Sequence, residues 1–279
     1  MWQASAAPNK NGIDMARTAI LNVMVQAATK AGRGLTRDFG EVENLQVSRK
    51  GPGDFVSAAD RRAEEILRNE LTKARPTYGL VMEESGEVEG SDGNHRWHID
   101  PLDGTTNFLH GIPIFATSIA LERNGQIQAA VVYNPVMDEL YTAERGRGAY
   151  LNDRRLRVAA RENPADMVFG TGLPFIGRGD HGRALKELRY VMPETAGIRR
   201  AGAAALDLAW VAAGRLDGFW EHKLNSWDIA AGLLLVKEAG GYVTDFGGKD
   251  KSLESGDVVA GNEFAHRHIL KFLKSAANA

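Results

Sequence analysis

The chain has 279 residues, 43% of them hydrophobic and 25% charged, ordinary proportions for a globular protein with a well-buried core. Its 36 acidic and 34 basic residues give a net charge of -2, without the basic excess that direct nucleic-acid binding calls for. Zero cysteines exclude disulfides, cysteine-ligated zinc and thiol nucleophiles.

In chain order, residues 1–10 lack the apolar stretch of a signal peptide. No later run approaches the roughly 20 apolar residues that cross a bilayer, so a soluble, cytoplasmic protein is expected. Ile13, Met15, Ala16, Ile20, Val23, Met24 and Ala27 recur at three- and four-residue intervals and predict an amphipathic helix over 13–38. Asp54 to Ser57 reads as a short extended entry, with Ser57 capping a helix over about 58–73 whose apolar face is Ala63, Ile66, Leu67 and Leu71. Strands are predicted at 78–82 and 96–99, joined by a Gly- and Glu-rich loop over 86–95. An antiparallel meander follows at 115–123, 126–134 and 139–143, turned at Asn124-Gly125 and Asn134-Pro135. Arg145, Arg147, Arg154, Arg155, Arg157 and Arg161 read as the solvated rim of a hairpin. Beyond residue 160 strands and helices alternate: strands at 167–170, 216–221, 242–243 and 257–261, and helices at 180–192, 203–213, 228–239 and 264–273. An antiparallel-rich half followed by a βα-type half predicts sheets layered between helices, in one body with halves at about 1–155 and 156–279.

The chemistry concentrates in Trp97 to Phe108, where Asp100 and Asp103 stand at the end of an apolar strand. Two anions this close call for a cation between them, and magnesium suits an oxygen-only ligand set with a substrate phosphate. Gly104 and Thr105 follow at once and offer backbone N–H groups to an anion. Asp60, Glu83 and Asp228 are the other acids that stand out, Glu83 at a strand end and Asp228 at the opening of a helix. Singly, each acid also has a structural reading: Asp103 as a turn residue, Glu83 and Glu84 as a solvated pair, Asp228 as an N-cap.

Four segments together resemble the inositol monophosphatase family, within the magnesium-dependent, lithium-sensitive sugar- and polyol-phosphate phosphatases. They are Asp54 to Asp60, Glu83-Glu84-Ser85, Trp97 to Phe108 and Trp227 to Gly232, and the likeness runs from about Lys50 to Gly261. The resemblance implies an α+β fold, the layered α/β/α/β/α sandwich of inositol monophosphatase and fructose bisphosphatase. It also implies hydrolysis of a small polyol phosphate, foremost myo-inositol monophosphate. By the same resemblance Glu83, Asp100, Asp103, Asp228 and the Leu102 carbonyl hold two or three magnesium ions. One lies between Glu83, Asp100 and Leu102, a second among Asp100, Asp103 and Asp228, and a looser third near Glu83. Thr105, oriented by Asp60, is the implied partner of the nucleophilic water, and the Gly104 and Thr105 N–H groups cradle phosphate. Glu221, Ala204 and Asp103 are the implied contacts to substrate hydroxyls.

Two positions depart from the family pattern. Ala203 stands where a hydroxyl residue is usual, removing one hydrogen bond near the substrate. Ser226 stands where many relatives carry proline, which should leave the approach to Asp228 less stiff. Arg200 matches an arginine frequent in bacterial members, and Thr171 to Phe175 matches a segment they place near the pocket. The same-fold alternatives for substrate are 3'-phosphoadenosine phosphate, histidinol phosphate and fructose bisphosphate. Bacterial relatives further imply an interaction role in transcription and ribosomal RNA maturation. The resemblance further implies a dimer, with the hairpin region around 145–160 or the apolar segments flanking 180–200 as the candidate interface.

Overall fold

The computed structural model describes residues 17–41, 47–51 and 54–279. The amino-terminal segment, and residues 13–16 of the expected first helix, lie outside the described residues. Helix α1 (Ala19–Phe39) begins at a Thr18 cap whose hydroxyl accepts the Leu21 N–H, so the helix starts later than the periodicity suggests. A short hairpin, β1 (Val47–Gly51) and β2 (Asp54–Ser57), leads into α2 (Ala58–Ala74). Ser57 and Asp60 close that helix's capping box.

An eight-stranded sheet follows. Its strands are β3 (Gly79–Met82), β4 (Gly86–Val88), β5 (His95–Asp103), then, after the short helix α3 (Thr105–Leu109), β6 (Ala116–Arg123), β7 (Gln126–Asn134), β8 (Glu139–Glu144), β9 (Gly148–Leu151) and β10 (Arg154–Arg155). Their spatial order is β10-β9-β8-β7-β6-β5-β3-β4, antiparallel throughout except for the β3–β5 pair. The β6–β7 turn has Asn124 and Gly125 both at positive φ, 50° and 77°, as a two-residue hairpin of matching twist requires.

The rest of the chain runs β11 (Val168–Thr171), α4 (His181–Val191), β12 (Gly197–Arg199), α5 (Ala204–Ala212), β13 (Gly218–Glu221), α6 (Ser226–Glu238), β14 (Tyr242–Thr244), α7 (Ser252–Ser255), β15 (Val258–Gly261) and α8 (Glu263–Ala277). These strands form a second sheet, ordered β12-β11-β13-β15-β14 and mixed in direction.

Burial patterns assign the layers. In α1 the buried residues Leu21, Met24, Ala28, Ala31 and Leu35 form one stripe, which packs with α2 on one face of the large sheet. In α6 every residue from Ile229 to Val236 is buried, as is most of α5, because both helices have a sheet on either side. Helices α4 and α8 cover the outer face of the small sheet. The result is the expected α/β/α/β/α sandwich.

Two expectations need correction. Strand β5 does not stop at Ile99 but continues to Asp103, with its register to β6 shifted between Asp100 and Asp103. Of the arginine run, Arg154 and Arg155 are exposed on a hairpin, but Arg161 Nε bonds the fully buried Asp217 carboxylate at 2.7 Å. Asp217 also accepts the Val168 N–H, so this pair fixes the start of β11 and is not solvated rim.

Helices α5 and α6 approach closely because residue 232 lacks a side chain: a Cβ there would lie 2.5 Å from Leu208 Cβ. Gly232→Val should therefore overpack the central layer and cost about 2 kcal/mol, read as a lower urea midpoint at unchanged slope.

Candidate active site

Side chains alternate faces along a strand, so residues three apart point to opposite sides. Asp100 and Asp103 escape this rule. They pair with Ser118 and Ala116, so three steps on β5 match two on β6 and one extra residue is accommodated. Pro101 sits in the bulge, where its missing N–H leaves no ladder bond unmade, and its carbonyl accepts the Thr117 hydroxyl at 3.0 Å. Both carboxylates consequently line one cavity of about 300 Å³.

The other acids arrive from separate elements. Glu83 follows β3, its N–H bonded to the Ile99 carbonyl at 3.2 Å. Asp228 stands in the first turn of α6, where it accepts the Asn225 N–H at 2.7 Å in a capping box. Glu83, Asp100, Leu102, Asp103, Gly104, Thr105, Ala204, Glu221 and Asp228 all line the cavity. Asp60 lies behind that wall, and the Thr105 hydroxyl reaches its Oδ1 and the Leu102 carbonyl, each at 3.1 Å. Gly104 turns the chain into α3 with φ of 91°, and a Cβ there would meet the Ile114 carbonyl at 2.8 Å. The Thr171–Phe175 segment also reaches the cavity, and Gly172 is required there: its Cβ would fall 1.9 Å from the Glu221 carboxylate.

Several supporting residues were not singled out from the sequence. Glu64, one turn beyond Asp60 on α2, accepts the Glu84 N–H at 2.8 Å and the Ser85 hydroxyl, anchoring the turn that carries Glu83. Its four-residue spacing from Asp60 was the available signal. His98 bonds Ser226 Oγ through Nδ1 at 2.9 Å and Glu122 through Nε2 at 2.7 Å. The approach to Asp228 is thus tethered to β5 by Ser226, contrary to the looseness expected from the missing proline. Asn107 bonds the carbonyls of Ile114 and Ala201, joining α3 to the entry of α5. Ala203 caps α5 with no side-chain bond, as its missing hydroxyl requires, while the Ala205 N–H holds Asp103 Oδ2 at 2.7 Å.

Burial and mutual repulsion set the charge state. Loss of water contact pushes the Asp100 carboxyl well above its ordinary range, and Glu83, Asp103 and Asp228 push it further. Asp103 rises for the same first reason and then through Asp228, against the pull of the Ala205 N–H. Burial raises Asp60 as well, opposed by its bonds to Ser57 and Thr105. Glu221 is pushed up to about 7 by burial and Asp228, with Arg200 and Arg178 acting against the rise.

The inositol monophosphatase family model matches residues 16–277. The chain belongs to the inositol monophosphatase family. An inositol-1-monophosphatase of Mesorhizobium japonicum is 67% identical over 265 residues, 95% of this chain and 100% of that protein. The crystal structure of extragenic suppressor protein suhB from Bartonella henselae, 60% identical, matches with a TM-score of 0.90 over 92% of this chain and 99% of its own. The Nus factor SuhB of Pseudomonas aeruginosa is 48% identical over 257 residues, 90% of this chain and 94% of that protein. As a member of the inositol monophosphatase family, the chain is a divalent-metal-dependent phosphoric monoester hydrolase. Among the described residues no helix is long and apolar enough to cross a membrane.

The donor set fits a hard divalent cation: four carboxylates and one backbone carbonyl, with neither sulfur nor imidazole among them. Among the described residues, however, no three such groups are already closed around one point. Asp100 bonds to Glu83, Asp103 to the Ala205 N–H and Asp228 to the Asn225 N–H. The ligands implied by the sequence share a wall of the cavity, without forming a finished coordination shell.

One further acid lies behind this wall. Asp207 of α5 is buried, its Oδ1 has no hydrogen-bond partner, and burial followed by Glu221 and Asp103 holds its carboxyl well above 3.8. A carboxyl raised by folding stabilises the protein below its unfolded value, and that contribution is lost as pH rises through the folded one. Replacing Asp207 with Asn removes this slope. In chelator-treated protein the melting temperature of Asp207→Asn, relative to the unsubstituted chain, should rise between about pH 5 and about pH 7.5.

Proposed function

We propose that this enzyme hydrolyses the phosphate monoester of a small polyol, foremost myo-inositol monophosphate, to polyol and inorganic phosphate by direct attack of water on phosphorus. The observation that carries the reading is Glu83, Asp100, Asp103 and Asp228 on the wall of one cavity, beside the Thr105–Asp60 pair. The relatives named inositol-1-monophosphatase, 54% to 67% identical, support the substrate.

In this reading Glu83, Asp100, Asp103, Asp228 and the Leu102 carbonyl hold two or three magnesium ions. Magnesium, when bound, supplies positive charge against the phosphate dianion and a water acidic enough to ionise near neutrality. The Thr105 hydroxyl has one proton and two acceptors within reach. Donated to Asp60 Oδ1, that proton leaves an oxygen lone pair facing the cavity to take the proton of the attacking water. Asp60 then serves as the terminal base, and its burial makes it a stronger base than a solvated carboxylate. Thr105 is the first residue of α3, so its N–H has no partner within the helix and serves with that of Gly104 as donor to the phosphate. Glu221, Ala204 and Asp103 orient the polyol through its hydroxyls.

A screen of phosphate release tests the reading. With magnesium present, inositol monophosphate should give a higher kcat/KM than histidinol phosphate, fructose bisphosphate or 3'-phosphoadenosine phosphate, and chelation or lithium should abolish or depress turnover. A chelator-treated sample should also melt at a higher temperature once millimolar magnesium is restored, because the ions relieve the repulsion among the carboxylates. Turnover indifferent to magnesium would refute the assignment.

The relative named Nus factor SuhB favours a second reading, an additional role as a binding partner of the transcription machinery. That role needs a surface and not the cavity. Asp60→Asn should lower kcat by about 10²- to 10⁴-fold. Under the second reading the same variant still captures transcription proteins in pull-downs; loss of both properties together would argue against a separate surface.

A further inference from the structure

The face of the large sheet that meets α5 and α6 is built mainly from small and apolar side chains, among them Ala116, Ala120, Ala130 and Val132. His98 and Glu122 interrupt it. The β5–β6 register sets His98 opposite Ala120 and Arg96 opposite Glu122, so alternation brings Arg96, His98 and Glu122 to that one face. His98 is buried with both ring nitrogens bonded, Nε2 to Glu122 Oε2 at 2.7 Å and Nδ1 to Ser226 Oγ at 2.9 Å. Glu122 is held in turn by the Gly125 N–H at 3.1 Å and by the charge of Arg96. A carboxylate only accepts, so Nε2 carries the proton of the neutral imidazole and Nδ1 accepts from the Ser226 hydroxyl.

One residue further along α6, the Ser118 hydroxyl donates to the Trp227 carbonyl at 3.3 Å. Two successive residues of the first turn are thus fastened to β5 and β6, and Asp228 comes next. Glu122, His98 and Ser226 do not line the catalytic cavity but a separate one of about 410 Å³. Any part they take in the reaction therefore passes through α6. A buried imidazole–carboxylate pair adds little net stability over an aliphatic pair of the same volume, so the position it fixes is the better account of it.

We propose that Glu122 and His98 are positioning residues for Asp228: through Ser226 they hold the first turn of α6, and so set the affinity of the carboxylate cluster for magnesium. The proposal rests on the metal-ligand reading given above. The tether does by hydrogen bonding what a proline at residue 226 would do covalently. Ser226 is the first residue of α6, where an N–H has no helical partner to lose. Asn225 before it is extended, with φ of -82° and ψ of 164°, as a following proline demands. Two ways of stiffening one turn should substitute for each other.

Magnesium titrated calorimetrically into protein freed of metal by chelation and dialysis tests this without reference to turnover. Ser226→Ala, which removes a single oxygen, should weaken magnesium binding by about tenfold or more, the effect typical of groups that orient a metal ligand. Ser226→Pro should bind magnesium within about twofold of the unsubstituted chain. His98→Leu should cost about tenfold with Ser226 present and nothing further in the Ser226→Pro background, a coupling that independent sites do not show. Turnover lost in Ser226→Ala should return as magnesium is raised, so that the change falls on the magnesium activation constant and not on kcat. Should His98→Leu fail to fold, the two Ser226 variants decide alone. A lower melting temperature in metal-free Ser226→Ala with unchanged magnesium affinity would overturn the proposal and leave the tether a packing feature. So would equal losses from Ser226→Ala and Ser226→Pro, or an equal loss from His98→Leu in both backgrounds. If the unsubstituted chain takes up no magnesium, the metal-ligand reading fails and the proposal with it.

Discussion

The structure turns on one extra residue in β5. Without the bulge between Asp100 and Asp103 the period of two would send these carboxylates to opposite faces of the large sheet. One of them would then enter the packed α1/α2 layer and the other the cavity. Proline is the residue that permits the irregularity, because a strand interior elsewhere has no use for a missing donor. Around this kink the remaining pieces are delivered by element ends: Glu83 after β3, Thr105 at the start of α3, Glu221 at the end of β13 and Asp228 at the start of α6. A site assembled from termini can place polar groups in the interior while the elements themselves stay apolar.

The cost of that arrangement is electrostatic. Carboxylates gathered out of water repel one another and hold protons they would otherwise release, as the raised Asp100 and Asp103 show. Backbone donors and neighbouring acids restrain each of them in place. The same cavity wall is therefore both the least comfortable part of the fold and the part with the strongest demand for a cation. Glycines at 104 and 172 allow the close approaches that any side chain would block.

Much of this was legible in the residues. The central motif is contiguous, so Asp100, Asp103, Gly104 and Thr105 could be read together from a single stretch. The cap at Ser57 could be read by residue type, whereas at α6 the N-cap is Asn225 and Asp228, read as a cap, is the third helical residue that closes the capping box. What escaped was tertiary. The span of β5 was read short because Pro101 is an ordinary stop signal, and only pairing with β6 carries the strand past it. Glu64, His98 and Asp207 looked like ordinary positions, since Glu64 and His98 find partners 20 and 128 residues away and Asp207 Oδ1 finds none. A tether such as His98–Ser226 is invisible until two elements are known to touch.

The shared central layer has a consequence for how the chain is made. The inner face of the large sheet is covered by α5 and α6, whose residues leave the ribosome only after the whole of that sheet has emerged. During vectorial synthesis the β5–β9 surface thus waits, apolar and uncovered, for α5 and α6 of its own polypeptide. Such an interval favours chaperone capture and penalises slow elongation between residues 155 and 240.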